Sequence, residues 1–364
     1  MTDFRASPAP VRVVDQTGTR RDSVPRRRVG AFSHDRYHSS VGRRLLSVPG
    51  LFVIAVSLLV LIPVWLILGS LVDLVGRRFR LPTVRLLSFA LLWSWFETLG
   101  VLASFGFWLV GGARRAGWNY GLQRWWAARL MWALRTTCGI VVTVENPDAL
   151  SPGPTVLLGR HASLADSLVS AWVITSERVK PRYVLKKELL VDPCLDIVGR
   201  RVPNHFLDRG AADSGPELAA LENLAAGLDS GSTGVIFPEG TRANPTKRRR
   251  ALEKLAEVAP QRAERLEGLR HLLPPRPAGA AAMLRGRSDA DVVLAWHIGF
   301  EGLDTFGGIR AALARPSRPV RFVMRRVPRS TVPSPSADNM EAFVEWLDEQ
   351  WSRMDDEVDR ALAG

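Results

Sequence analysis

Two long apolar runs in tandem constrain this chain more than any other feature. Leu51 to Val72 is apolar apart from Ser57, Gly69 and Ser70, and contains one proline, Pro63. Leu86 to Val110 follows, with Glu97 as its sole charge. A helix needs about 20 apolar residues to cross a bilayer, and each run reaches that length. The soluble alternative is a pair of buried core helices, but such runs rarely occur in tandem in soluble domains. The runs therefore predict a two-helix membrane hairpin. Arg43 and Arg44 precede it, Arg77, Arg78 and Arg80 lie in its turn, and Arg114 and Arg115 follow. Positive charge on all three flanks gives no inside–outside alternation, so a re-entrant hairpin dipping in from the cytoplasmic side fits the charges better than two full spans. Glu97 then needs a protein partner or the interface, because a charge at the bilayer centre costs about 3 kcal/mol.

The net charge of +13 comes almost entirely from arginine. It suits anionic partners: phospholipid head groups, phosphorylated substrates, coenzyme A or nucleic acid. The basic runs contain no recognisable nucleic-acid-reading motif, so nucleic acid is set aside. Residues 1–45 lack apolar periodicity and read as a disordered basic arm, too long and polar to open a cleavable signal. Eight of the twelve tryptophans lie between Trp65 and Trp132, a distribution that suits a membrane interface. Within residues 113–136, Leu122, Trp126, Leu130 and Leu134 recur every fourth position among arginines. That pattern predicts an amphipathic helix, lying either at the interface or against the following domain. Cys138 and Cys194 form no CxxC or Cys/His cluster, so no metal site is expected and a reduced compartment is the natural reading.

From Gly139 the periodicity changes. Strands are predicted at Ile140–Val144, Thr155–Leu158, Arg182–Leu185, Val202–Leu207, Thr233–Phe237, Val292–Trp296 and Val320–Met324. Helices are predicted at Ala162–Ser176, Lys187–Val198, Pro216–Leu228 and Ala251–Glu267. This alternation implies an α/β fold with a mixed, largely parallel sheet flanked by helices, over residues 137–330 and behind the hairpin at 46–112. Residues 331–364 read as a Pro-rich linker and a terminal amphipathic helix.

Two short strings carry the chemistry. His161 is followed five positions later by Asp166. Five positions on a helix is about 500°, so the two side chains do not stack on one. His161 is therefore placed in the turn after the strand at Thr155–Leu158, with Asp166 entering the next helix. A neutral imidazole suits a general base, and a carboxylate on its other nitrogen fixes the tautomer. About 75 residues on, Phe237-Pro238-Glu239-Gly240-Thr241-Arg242 leaves a strand end. Pro238 stops pairing, Gly240 permits close backbone approach, and Thr241 and Arg242 supply donors, the arginine with a fork suited to phosphate. Either string alone has a bland reading: a surface histidine with a helix-starting aspartate, or a turn with a solvated arginine.

Together, in this order and spacing, they resemble the glycerolipid acyltransferase (PlsC-like) family. Phe206-Leu207-Asp208-Arg209 is similar to that family's intermediate motif. His271 to Gly279, Val320 to Arg326 and Glu345 to Trp351 look like its eukaryotic-type lysophospholipid branch. The resemblance implies a membrane-bound transfer of a fatty acyl group from acyl-CoA or acyl carrier protein to a hydroxyl of lysophosphatidate or another lysophospholipid. It implies His161 as base, Asp166 as its orienter, and Arg209, Glu239, Gly240, Thr241 and Arg242 around the acceptor phosphate. Neither a metal nor a bound organic cofactor is implied, and the catalytic domain is expected on the cytoplasmic side of a bacterial inner membrane. Glycerol 3-phosphate or a glycolipid is the alternative acceptor. A non-catalytic protein binding anionic lipid is the alternative class. Two departures stand out. Arg160 occupies the place of the family's asparagine, where it either re-anchors the His161 loop or adds a phosphate contact. Val292 to His297 occupies the place of a Val-Pro-rich motif, with His297 read as structural.

Overall fold

The computed structural model describes residues 38–208, 213–303, 305–316 and 319–363. Four helices come first: α1 (His38–Val60), α2 (Ile62–Val75), α3 (Pro82–Leu109) and α4 (Ala116–Cys138). Most of the expected basic arm, residues 1–37, lies outside the described residues. Its last residues, 38–45, are helical rather than irregular. A long-range contact accounts for this at Arg43 and Arg44, whose guanidinium groups clasp the buried carboxylate of Asp196 at 3.0 and 2.8 Å. The first apolar run is two helices meeting at Leu61, not one. Pro63 near the start of α2 has no N–H for the preceding turn.

Val41–Val60 and Pro82–Leu109 are long and apolar enough to cross a membrane by length and composition. Few of their residues are buried within the protein, and Phe52, Leu59, Leu102 and Phe105 are among the exposed apolar side chains. Asp73 joins α2 to α3 by accepting hydrogen bonds from the Thr83 backbone N–H and hydroxyl, both at 2.7 Å. Glu97 does have a protein partner: it is buried and accepts a bond from the indole N–H of Trp126 on α4 at 2.8 Å. Leu122, Ala127, Leu130, Met131 and Leu134 are buried on α4, so that helix packs on its neighbours.

The α/β part contains β1 (Val142–Glu145), β2 (Thr155–Gly159), α5 (Asp166–Ser176), β3 (Lys180–Lys186), α6 (Pro193–Ile197), β4 (His205–Leu207), α7 (Gly215–Ala226) and β5 (Ser232–Ile236). It continues with α8 (Pro245–Val258), α9 (Pro260–Leu266), α10 (Pro277–Gly286), β6 (Asp291–Ile298), α11 (Phe306–Leu313), β7 (Val320–Val327) and α12 (Met340–Ala363). All seven expected strands are present. Their order is β1-β7-β6-β2-β5-β3-β4, parallel throughout except for the antiparallel β6–β7 pair. This is the mixed, largely parallel sheet anticipated. The helix expected at Ala251–Glu267 is instead α8 and α9, separated at Ala259-Pro260. That expected at Lys187–Val198 is a 3-10 turn followed by α6. Helices α10 and α11 were not anticipated.

Alternation along the strands builds three layers. Val156, Leu158, Ile236, Val292 and Leu294 face α7, α10 and α12, with Phe343, Leu347 and Trp351 of α12 fully buried. Leu157, Val235 and Val293 face α4 and α5. Both cysteines are buried free thiols. The carboxyl ends of β2, β5 and β6 emerge side by side, which in open parallel sheets is where ligands bind.

Candidate active site

β2 ends at Gly159, and residues 160–165 form a loop before α5. Asp166 opens that helix, where its negative charge suits the helix dipole. The side chain folds back over the loop that precedes it. Its Oδ2 meets His161 Nδ1 at 2.7 Å and accepts the Ala162 N–H at 2.7 Å. The Ser163 N–H lies 2.9–3.0 Å from both oxygens, and the Ser163 hydroxyl donates to Oδ1. These bonds explain why the helix begins at Asp166 rather than Ala162: the intervening N–H groups serve the carboxylate. Asp166 is 2% exposed. Burial pushes its pKa up, but the nearby His297 imidazole and hydrogen bonds from His161 and His297 outweigh burial and hold the carboxyl well below its usual range. It is therefore a fixed anion beneath His161.

Since Nδ1 engages Asp166, Nε2 is the ring nitrogen of His161 left open, with no hydrogen-bond partner among the described residues. The Phe237 ring lies 5.0 Å from the imidazole, tilted by 35°. A Cβ at position 159 would come within 2.8 Å of Phe237, so glycine is needed there to let that ring approach.

The second string interlocks with the first. Glu239 Oε1 accepts the His161 N–H at 2.8 Å, while the His161 carbonyl accepts the Ala243 N–H at 2.7 Å. Glu239 Oε2 accepts the Leu273 N–H at 3.0 Å. Burial pushes the Glu239 carboxyl up to about 8, partly opposed by the two backbone donors. Expected among the phosphate-binding groups, Glu239 instead braces the loop: it is 2% exposed and both its oxygens are occupied.

Gly240 has φ +71°, a left-handed conformation that favours glycine, and Arg276 lies against its open side. Lys247 Nζ ties the turn together at 3.2 Å from both Thr241 Oγ1 and the Arg242 carbonyl. Arg242 Nη1 is buried without a hydrogen-bond partner. A buried donor left open in this way can take an acceptor. Arg209 lies outside the described residues.

Two residues read differently in three dimensions. Arg160 is 5% exposed, donates to the His297 carbonyl and lies 3.7 Å from Glu301, so it anchors the loop. His297, read from sequence as structural, has its Nε2 2.9 Å from Asp166 Oδ1. Nothing local in the sequence signals that contact, which depends on β6 pairing with β2. Beside the site, a cavity of about 700 Å³ is lined by Leu164, Ala165 and Leu168 together with Phe89, Trp126 and Leu130.

Residues 141–274 match the acyltransferase family. This chain carries an acyltransferase-family domain. The resemblance read from the His161–Asp166 pair and the Phe237–Arg242 string is borne out at the level of the family. No curated protein matches the chain. Solved structures similar to it include the crystal structure of the 1-acyl-sn-glycerophosphate (LPA) acyltransferase PlsC from Thermotoga maritima. That protein is 16% identical, with a TM-score of 0.42, and the match covers 72% of this chain and 95% of that one. The family match spans His161, Asp166 and the whole Glu239–Arg242 turn, so the acyltransferase domain contains both strings, while β6 and His297 lie beyond it.

Proposed function

We propose that the chain is a membrane-bound O-acyltransferase. It moves a fatty acyl group from the thioester of acyl-CoA or acyl carrier protein to a free hydroxyl of lysophosphatidate or a related lysophospholipid. The observation that carries this reading is the interlock of the two strings. His161 is bonded at Nδ1 to Asp166 and at its backbone to both Glu239 and Ala243, so a base and an anion turn form one rigid unit. In the reaction, the acceptor hydroxyl attacks the thioester carbonyl as Nε2 of His161 takes its proton. The C–S bond then breaks, and the thiolate recovers that proton from the imidazolium. Asp166 stabilises the imidazolium throughout. No enzyme nucleophile is required, because the acceptor supplies the attacking oxygen.

Arg242 and the Gly240-Thr241 turn take the acceptor phosphate, joined by Arg209. No metal or bound organic cofactor enters this scheme. The apolar cavity beside Leu164 and Leu168 suits an acyl chain in volume and lining. Helices α1 to α3, with their exposed apolar side chains, hold the domain at a membrane where both lipids reside. The basic flanks favour the cytoplasmic side.

The test is transfer from radiolabelled oleoyl-CoA to lysophosphatidate by the detergent-solubilised chain, beside His161→Ala. Labelled phosphatidate from the parent and a loss of at least about 10³-fold in the variant is the expected result. Equal product from both would remove His161 as the base. Glycerol 3-phosphate and a glycolipid, run in parallel, identify the acceptor class.

A further inference from the structure

Asp166 holds two imidazoles, not one. His161 meets Oδ2 at 2.7 Å and His297 meets Oδ1 at 2.9 Å from a strand 131 residues further on. His297 is 2% exposed, and its other nitrogen, Nδ1, is buried without a partner. Its ring is otherwise enclosed by aromatics: Phe300 edge-on at 5.3 Å and Phe322 at 6.5 Å, nearly parallel. Burying an imidazole nitrogen unpaired costs free energy that a phenyl ring of similar shape would avoid. The bond to Asp166 is the polar contact that offsets this cost.

We propose that His297 is a positioning residue for acyl transfer: through Asp166 it sets the basicity of His161. The proposal rests on the reading of His161 as the base. The groups facing this unit are few. Asp166 comes from α5, His161 and Arg160 from the β2 loop, Ser163 from the same loop, Glu301 from beyond β6, and Glu239 from the turn after β5. From β7, Phe322 pairs with His297 and sets its ring against the imidazole, with Arg321 next to it opposite Ile298. No other charged group in contact with His297 is recorded among the described residues.

The direction of the effect does not depend on the charge of His297. A neutral His297 donates Nε2–H to Asp166 and draws off part of its negative charge. A protonated His297 does so more strongly and also repels a proton on His161. Removing either form leaves Asp166 a stronger acceptor, stabilises the His161 imidazolium and raises the His161 midpoint. A base must be neutral to act, so the acidic limb of the rate profile moves to higher pH.

The experiment is a titration of ring-¹³C-histidine signals in the full detergent-solubilised chain, with His161→Gln to assign the peak. His297→Phe and His297→Asn remove the donor, the first by chemistry and the second by reach. His297→Gln restores an N–H near the Nε2 position. The expected result is a His161 midpoint raised by about one unit in the Phe and Asn variants, and near the parent value in Gln. The acidic limb of acyl transfer should move with it. An unmoved midpoint in folded Phe or Asn variants would overturn the proposal, as would a Gln variant shifted as far as they are. Either removal variant suffices if the other does not fold. A midpoint that moves in a chain inactive with every acceptor would sink the proposed function while leaving the coupling of His297 to His161 intact.

Discussion

Replacing Asp166 with Asn tests the core of the site, and the structure sets the size of the effect. The carboxylate accepts from five groups: His161 Nδ1, the Ala162 and Ser163 backbone N–H groups, the Ser163 hydroxyl and His297 Nε2. An amide has two ways to sit there. With its NH₂ in place of Oδ2 it faces His161 and the Ala162 N–H. The imidazole must then change tautomer, which puts the proton on Nε2, where a base needs a lone pair. That is the wrong-tautomer case, about 10⁴-fold in kcat for the analogous change in a serine protease. With its NH₂ in place of Oδ1 it faces the Ser163 hydroxyl and His297, and both can turn to accept. His161 then keeps its tautomer and loses only the anion beneath it. Two charges at about 4 Å interact by about 4 kcal/mol at an effective dielectric constant of 20, an upper figure for that loss, or about 10³-fold. The second orientation leaves fewer donors opposed and should prevail. Saturating acyl transfer should therefore fall by about 10²- to 10³-fold, with the acidic limb moved to lower pH because the imidazolium loses its partner. The assay is initial-rate transfer across pH, with tryptophan fluorescence during unfolding to confirm a folded variant. A folded Asp166→Asn chain retaining a third or more of parental activity would refute the reasoning.

Two further outcomes follow from the same geometry. Burial raises Glu239 to about 8, so the folded state holds that proton more tightly than an unfolded chain with its pKa near 4.3. Its contribution to stability is full below about pH 4 and is lost as pH rises towards 8, on the order of a few kcal/mol across the span. Glu239→Gln should remove that slope, so parent and variant unfolding midpoints measured from pH 5 to 8.5 should diverge in favour of the variant; parallel curves would contradict this. Arg242→Ala should raise the acceptor KM by about 10- to 100-fold with a smaller change in kcat, and Arg242→Lys should recover part of it, since lysine restores the charge but not the fork. Saturation curves for lysophosphatidate at fixed oleoyl-CoA check this, and an unchanged KM would free Arg242 of the role.

Much of the fold was legible because its signals are local. Alternating apolar residues marked all seven strands, and the sheet class follows from their alternation with helices. Boundaries failed where a distant contact intervened. Residues 38–45 read as irregular from their polar composition, yet Arg43 and Arg44 close on Asp196 more than 150 positions away. The helix after β2 starts four residues late because Asp166 captures the N–H groups of Ala162 and Ser163. Helices α10 and α11 are short and rich in alanine and glycine, so they have little apolar contrast to read.

The sequence by itself determined the working parts: two apolar runs that water does not favour, a histidine placed five residues before an aspartate, and a glycine-containing turn ending in arginine. Those are properties of residue type and near-neighbour spacing. Tertiary structure alone decided how the parts face one another. Parallel pairing of β2 with β6, with Gly159 opposite Ala295, sets residue 297 beside residue 161 and so brings a second imidazole to Asp166. The turn after β5 sends the Glu239 side chain inward to the His161 and Leu273 backbone, not outward to a substrate. Register between strands more than a hundred residues apart has no local signature. Hydrogen-bond pairing and the burial of both sheet faces fix it only when the whole chain is assembled.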